Sequence, residues 1–135
     1  MSGLRHPDLA AGRWHELTLC EQMGHVGSEI SRALRWRMRD PAIAQGALER
    51  AIELLDLTLD DPRHRRSVAR LREIARAREV VLDFFVGGNE YRSTEKSLQG
   101  YFDFFARAAS AGRQAGGSAD SPPGMGSRPP AVPAQ

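Results

Sequence analysis

Between Arg32 and Arg39 the chain places four arginines and a tryptophan in eight residues, "RALRWRMR", and then stops at Asp40-Pro41. Guanidinium groups grip phosphate or carboxylate through paired N–H donors, and an exposed indole stacks on a base or anchors a protein contact. At about 100° per residue, Arg32, Arg35 and Arg39 share one helix face, with Trp36 at its edge near His25 and Glu29, while Arg37 points toward the apolar side. A second cluster comprises Arg63, Arg65, Arg66, Arg70, Arg72, Arg76 and Arg78, with Glu73 as its one acid. Arg32, Arg35, Trp36, Arg39, Arg63, Arg65, Arg66, Arg70 and Arg72 are therefore candidate contacts for nucleic acid or a protein partner. The plainer account is that cations in a last helical turn complement the helix dipole, and that Asp40, Glu79 and Asp83 neutralise the first cluster.

Other chemistry has less to work with. No histidine follows an arginine by four to six residues, as helical ribonucleases of the HEPN type require, and no Glu-x-x-His motif occurs. His25 with Glu29 is the one pair at metal-ligand spacing, and a lone pair of this kind is a solvated contact. Cys20 lies on a stripe of small residues, as a packed thiol would. "VGGNEY" has two glycines but no P-loop Lys-Ser/Thr after them, and reads as a helix stop and turn. The expectation is no catalytic residue, no metal and no cofactor.

The elements that must position the arginines are helical. Apolar residues recur with a 3.6 period four times between residues 14 and 110. Thr18 with Glu21 forms a capping box. It opens a first helix carrying Leu19, Met23, Val26, Ile30 and Ala33/Leu34, beside the small stripe Cys20, Gly24, Gly27 and Ser31. Each helical glycine costs about 1 kcal/mol against Ala, which predicts close approach of another helix. Asp40-Pro41 supplies an N-cap and a first-turn proline for a second helix with Ile43, Ala47, Leu48, Ala51, Leu54, Leu55 and Thr58 inward. Glu49, Glu53, Asp56 and Asp60 give it an acidic outer side. Asp61-Pro62 repeats the signal for a third helix, with Leu71, Ile74, Ala75, Leu82 and Phe85 on its stripe and a stop at Gly87-Gly88. Ser93 or Thr94 caps a fourth, with Leu98, Tyr101, Phe102, Phe105 and Ala109 on one face. Arg78 falls within the third stripe. A buried unpaired charge is costly, so it should meet a carboxylate, Glu29 first and Glu49 second, or a partner subunit.

Composition sets the outer limits. The 135 residues hold 19 basic and 17 acidic side chains, and Lys96 is the one lysine. Residues 111–135 contain five Gly and five Pro and no aromatic, and should be disordered. A single cysteine fits a reducing cytoplasm, and no stretch reads as a membrane span or signal peptide.

The segments "WHELTLCEQ", "GSEISRALRW", "ERAIELLDLTLDDPR", "RAREVVLDFF", "GGNEYRST" and "YFDFFARAA" resemble a family of short bacterial and archaeal all-helical proteins without an assigned activity. The resemblance spans residues 14 to 109 and implies an independent domain, with no catalytic residues to carry over. In architecture and charge alone the chain is also similar to small basic four-helix accessory proteins. These include the accessory variability proteins of diversity-generating retroelements, whose likeness would imply a reverse-transcriptase or RNA partner.

The sequence thus predicts an all-α protein, an up-down-up-down antiparallel four-helix bundle over residues 14–110. A flexible segment, 1–13, precedes it and a disordered Gly/Pro/Ala-rich tail, 111–135, follows. The expected role is a cytoplasmic, non-catalytic interaction or scaffold protein that self-associates as a homo-oligomer. The rivals are a nucleic-acid-associated accessory protein working through the Arg-rich faces, and one component of a toxin–antitoxin or defence pair. The two arginine clusters should occupy opposite ends of the bundle, with the acidic second helix between them.

Overall fold

The computed structural model describes residues 12–115. Local capping chemistry sets where the helices begin. The Glu21 N–H donates to Thr18 Oγ1 at 3.1 Å while the Thr18 N–H donates to the Glu21 carboxylate at 2.9 Å. This reciprocal box satisfies two otherwise orphaned donors and starts α1, Leu19–Trp36. Asp40 accepts from the Ile43 N–H at 3.4 Å, with Pro41 in the first helical position, and starts α2, Pro41–Leu59. Residues 37–40 form the turn between them, so α1 ends early enough for a short antiparallel connection.

The next start signal behaves differently from the sequence expectation. Asp61-Pro62 opens only one turn, α3, Pro62–Arg65. Ser67 then caps afresh, accepting from the Arg70 N–H at 3.2 Å, and α4 runs from Val68 to Phe85. The expected third helix is therefore two, because the Ser67 hydroxyl offers a second N-cap and His64, within α3, turns into the interior. In α5, Glu95–Ala115, Thr94 and Ser97 exchange bonds of 2.9 Å at the N-terminus. That helix continues past residue 111, where the tail was expected to start. The expectations for residues 1–11 and 116–135 lie outside the described residues.

All five helices are α and no strand occurs among the described residues. A short 3-10 turn, Trp14–Glu16, precedes α1 and inserts Trp14 into the interior, 1% exposed. α1 packs on both α2 and α5, and α2 also packs on α4. Glu29 meets Arg50 while Gln22 meets Asp61, so α1 and α2 run antiparallel. Gly24 faces Ala106 and Gly27 faces Phe102, so α1 and α5 do as well.

Met23, Val26 and Ile30 of α1 are wholly buried, and join Leu54, Leu55, Ile74, Val80, Val81, Leu98, Tyr101 and Phe102 in one core. Each such side chain contributes about 1.5–3 kcal/mol over leaving it in water. The small stripe of α1 does what its composition implied. A Cβ on Gly27 would lie 2.6 Å from Phe102 Cβ, closer than two carbons can sit, so the absent side chain is what lets α5 approach.

The stripe of α4 is displaced from the predicted one. Ile74, Ala77, Val80 and Val81 are buried, whereas Ala75 is exposed and Leu71, Leu82 and Phe85 are only half-buried. The helix is rotated so that its charge-free row faces inward and Arg78 moves to the flank.

Candidate functional site

The first arginine cluster sits where α1 ends, beside the start of α2, the end of α4 and the start of α5. Arg37 connects these elements. Its guanidinium lies 4.7 Å from the centre of the Phe84 ring and its Nε is 3.6 Å from the Glu95 carboxylate. Arg39 stacks on Trp36 at 5.3 Å. Arg32 and Arg35 on the outer side of α1 and Arg39 in the turn after it are exposed, and none makes an ion pair with a described residue.

The neutralisation by Asp40, Glu79 and Asp83 does not form, because each has other work. Asp40 caps α2. Asp83 accepts from the backbone N–H groups of Glu90 and Tyr91 at 2.8 and 3.0 Å, pinning the turn that follows α4. Glu79 accepts from the Tyr91 hydroxyl at 3.0 Å and lies 3.9 Å from Arg76.

The second cluster lies at the other pole, since α3 packs beside the start of α1 through Asp61–Gln22 and Arg63–Leu17 contacts. Most of it is turned to structural use, Arg76 and Arg78 pairing with Glu79 and Asp56. Arg63 grips Asp61 at 2.6 Å and also donates to the Leu17 carbonyl. Arg65 donates to the Leu59 carbonyl at 3.0 Å, and Arg70 reaches His64 Nδ1 at 3.5 Å. Arg66 and Arg72 are exposed without such partners among the described residues.

Behind Arg63 lies a buried polar node that the sequence reading did not single out. Gln22 is fully buried, and its Nε2 donates to the Trp14 carbonyl at 2.8 Å and to Asp61 Oδ2 at 3.0 Å. Its Oε1 therefore faces His64 Nε2 at 2.7 Å, so His64 must carry its proton there and leave Nδ1 as the acceptor for Arg70. Trp14 Nε1 completes the group by donating to Thr58 Oγ1 at 3.0 Å, and Thr58 in turn donates to the Leu54 carbonyl at 2.8 Å. Burial pushes the His64 pKa down, against the pull of Asp61 upward, and Arg70 and Arg63 add to the fall. Burial alone would push the Asp61 carboxyl up, but the bonds from Arg63 and Gln22 outweigh it and hold the group far below the usual carboxylate range. The node ties the 3-10 turn, α1, α2 and α3 into one unit. Its signal was present: Gln22 follows Leu19 by three and precedes Val26 by four, on the apolar side of α1.

The expected Glu29–Arg78 pair is not formed. Arg78 Nε bonds Asp56 Oδ1 at 2.8 Å, with side chains 36% and 52% exposed. Glu29 instead pairs with Arg50 of α2 at 3.2 Å. The reason is the rotation of α4, which takes Arg78 out of the core and brings it beside the acidic side of α2. It is a surface pair and not a buried charge.

The remaining candidates carry little chemistry. Burial pushes the Cys20 thiol up, outweighing Arg70, so it stays protonated at neutral pH. His25 is exposed with its ring 5.7 Å from Trp14. Among the described residues no group of three or more His, Cys, Asp or Glu is placed to hold a metal, and no helix is long and apolar enough to cross a membrane.

Two clefts border the first cluster. One, of about 400 Å³, opens at the pole between Arg37, Met38, Pro41, Ala44, Phe84 and Phe85. The other is a groove along α1 and α5, formed by two openings of about 260 and 470 Å³ that share Ser31, Arg35 and Gln99. Comparison with protein families, curated proteins and solved structures yields no match.

Proposed function

We propose that the chain is a non-catalytic interaction protein that associates with a second copy of itself through the pole where α1 meets α2. Its four long helices are read as an up-down-up-down antiparallel bundle whose ends, not its core, do the work. The observation that carries this is exposed apolar surface at that pole. Met38, 86% exposed, lines the cleft with Pro41, Phe84 and Phe85, and Val86, the residue after Phe85, is 68% exposed, whereas Val68, at the start of α4, stands apart from them. Apolar side chains beside such a cleft favour association. The surroundings carry both signs of charge, with Arg37 already paired to Glu95 within the chain, so like-charge repulsion between two copies is moderated. The side chains best suited to chemistry favour the same reading: His64 has both ring nitrogens bonded internally and Cys20 is held as a thiol.

Sedimentation velocity across about two decades of concentration tests this. The wild-type chain should exceed its monomer mass of 14.9 kDa as concentration rises, and Met38→Asp with Val86→Asp should stay monomeric throughout. A wild-type monomer at every concentration, or a double variant that associates equally well, overturns the proposal.

A further inference from the structure

We propose that the outward face of α1, together with the first turn of α5, binds the backbone of single-stranded nucleic acid, and that the arginine cluster after Asp61 does not. This surface adjoins the apolar pole, with Arg39 at the border between them. Arg32 and Arg35 of α1 and Arg39 of the turn that follows it form an exposed basic row. None is held by a carboxylate of the described residues. The groove beside the row has Ser28, Ser31 and Arg35 on its α1 wall and Lys96, Gln99 and Asp103 on its α5 wall.

Glu95 is paired with Arg37 at 3.6 Å, while Asp103, bonded to the neutral Gln99 amide at 3.1 Å, keeps its charge at the far end of the groove. An incoming phosphate meets the guanidinium groups of Arg32, Arg35 and Arg39 and the Lys96 ammonium against that one unpaired acid of the groove lining. Arg39 lying over Trp36 at 5.3 Å adds a flat cationic and aromatic platform at the end of the row.

The lining separates nucleic acid from an acidic protein as partner. A protein contact needs an apolar anchor at its centre. This groove offers small, polar and charged side chains with only Leu34 and Ala106 as accessible apolar ones, since its one aromatic, Phe102, is 1% exposed. Polar walls with unpaired arginines suit a phosphodiester chain, and the two helices confine one strand. The other cluster is richer in sequence but its guanidinium donors are less available. Arg63 is neutralised by Asp61, and Arg65 and Arg70 keep their charge but have donors committed to the Leu59 carbonyl and to His64, which leaves Arg66 and Arg72 with theirs free.

Fluorescence anisotropy of the full chain with a labelled oligothymidylate of about 20 nucleotides tests the assignment. Three phosphate contacts on a single strand predict a log K against log salt slope of about −2. Replacing Arg32, Arg35 and Arg39 together by Glu should weaken binding at least ~30-fold at low salt, and by Gln about 10-fold. Arg66→Glu with Arg72→Glu should change it less than about 3-fold. The side chains of the three arginines make no hydrogen bond or ion pair to a described residue, and only Arg39 makes a ring contact, on Trp36, so these variants keep the fold, checked by circular dichroism and melting. Met38→Gln with Val86→Gln, which removes the apolar anchors of the pole without adding acid beside Arg39, should leave binding intact, which separates failure here from failure of self-association. No saturable binding at low salt, equal loss in the Arg66/Arg72 variant, or equally tight binding of polyglutamate or of duplex of the same length overturns the proposal.

Discussion

Adding one methyl group to α1 at Gly27 is the most local perturbation with a magnitude set by geometry. In an isolated helix Gly→Ala gains about 1 kcal/mol. In this fold the new Cβ would lie 2.6 Å from Phe102 Cβ, roughly 1 Å inside the carbon–carbon optimum of about 3.5–4.0 Å. Phe102 cannot retreat cheaply: it is 1% exposed and its ring meets Tyr101 edge-on at 5.1 Å. Overpacking of this kind costs about 1–3 kcal/mol, occasionally more. Gly27→Ala should therefore be net destabilising by about 1–2 kcal/mol, a fall of roughly 4–8 °C per kcal/mol for a domain of this size. Two controls carry the opposite sign. A Cβ at Gly24 would meet Ala106 Cα at 3.4 Å, an ordinary contact, and one at Gly100 meets nothing within 4 Å. Gly24→Ala and Gly100→Ala should be stabilising by about 0.5–1 kcal/mol. Urea unfolding followed at 222 nm gives all three midpoints. A Gly27→Ala protein as stable as the Gly100→Ala protein would refute the close approach of α1 and α5.

Three further outcomes follow from the polar contacts. Both shifted groups of the buried node make stability fall with acid. The folded His64 pKa lies below its ordinary 6.5, so below that pH the unfolded chain takes the proton first. The Asp61 pKa lies below its ordinary 3.8, so its share is kept above that value and lost on further acidification. Unfolding free energy should drop from pH 7 toward 5, and His64→Gln, which keeps an N–H donor toward Gln22, should flatten that arm. Asp56→Ala should cost less than about 1 kcal/mol, because its pair with Arg78 is solvent-exposed on both sides; a loss of several kcal/mol by urea titration would mean Arg78 is buried after all. Arg92 holds φ at +56° without a glycine's freedom, so Arg92→Gly should raise stability by up to about 1 kcal/mol, read from the same midpoints.

Residue chemistry at the helix starts was legible because capping is local. The Thr18/Glu21 box and the Asp40-Pro41 start need only their neighbours, and the close contact at Gly27 followed from the cost of glycine in a helix. Longer-range choices were not legible. Two adjacent apolar rows run along α4, one through Ala75 and Leu82 and one through Ile74, Ala77 and Val81, and both have the helical period. Only the second avoids Arg78, and that was the signal available. The break at Ser67 was hidden because Asp61-Pro62 already supplied a start, and Ser67 lacks the Glu or Gln three residues on that completes a capping box. The node of Gln22, Asp61 and His64 escaped because its members lie 39 and 42 residues apart along the chain from Gln22. For the arginines, sequence supplied their faces and opposite poles but not which acids were already occupied by backbone donors.

Association at the pole is tested most directly by methionine methyl NMR of the full chain across concentration. The account predicts that the Met38 methyl resonance shifts and broadens as the protein is concentrated, while that of Met23, buried at 0% exposure, stays in place. A Met38 signal that is sharp and unmoved from dilute to concentrated samples would contradict it.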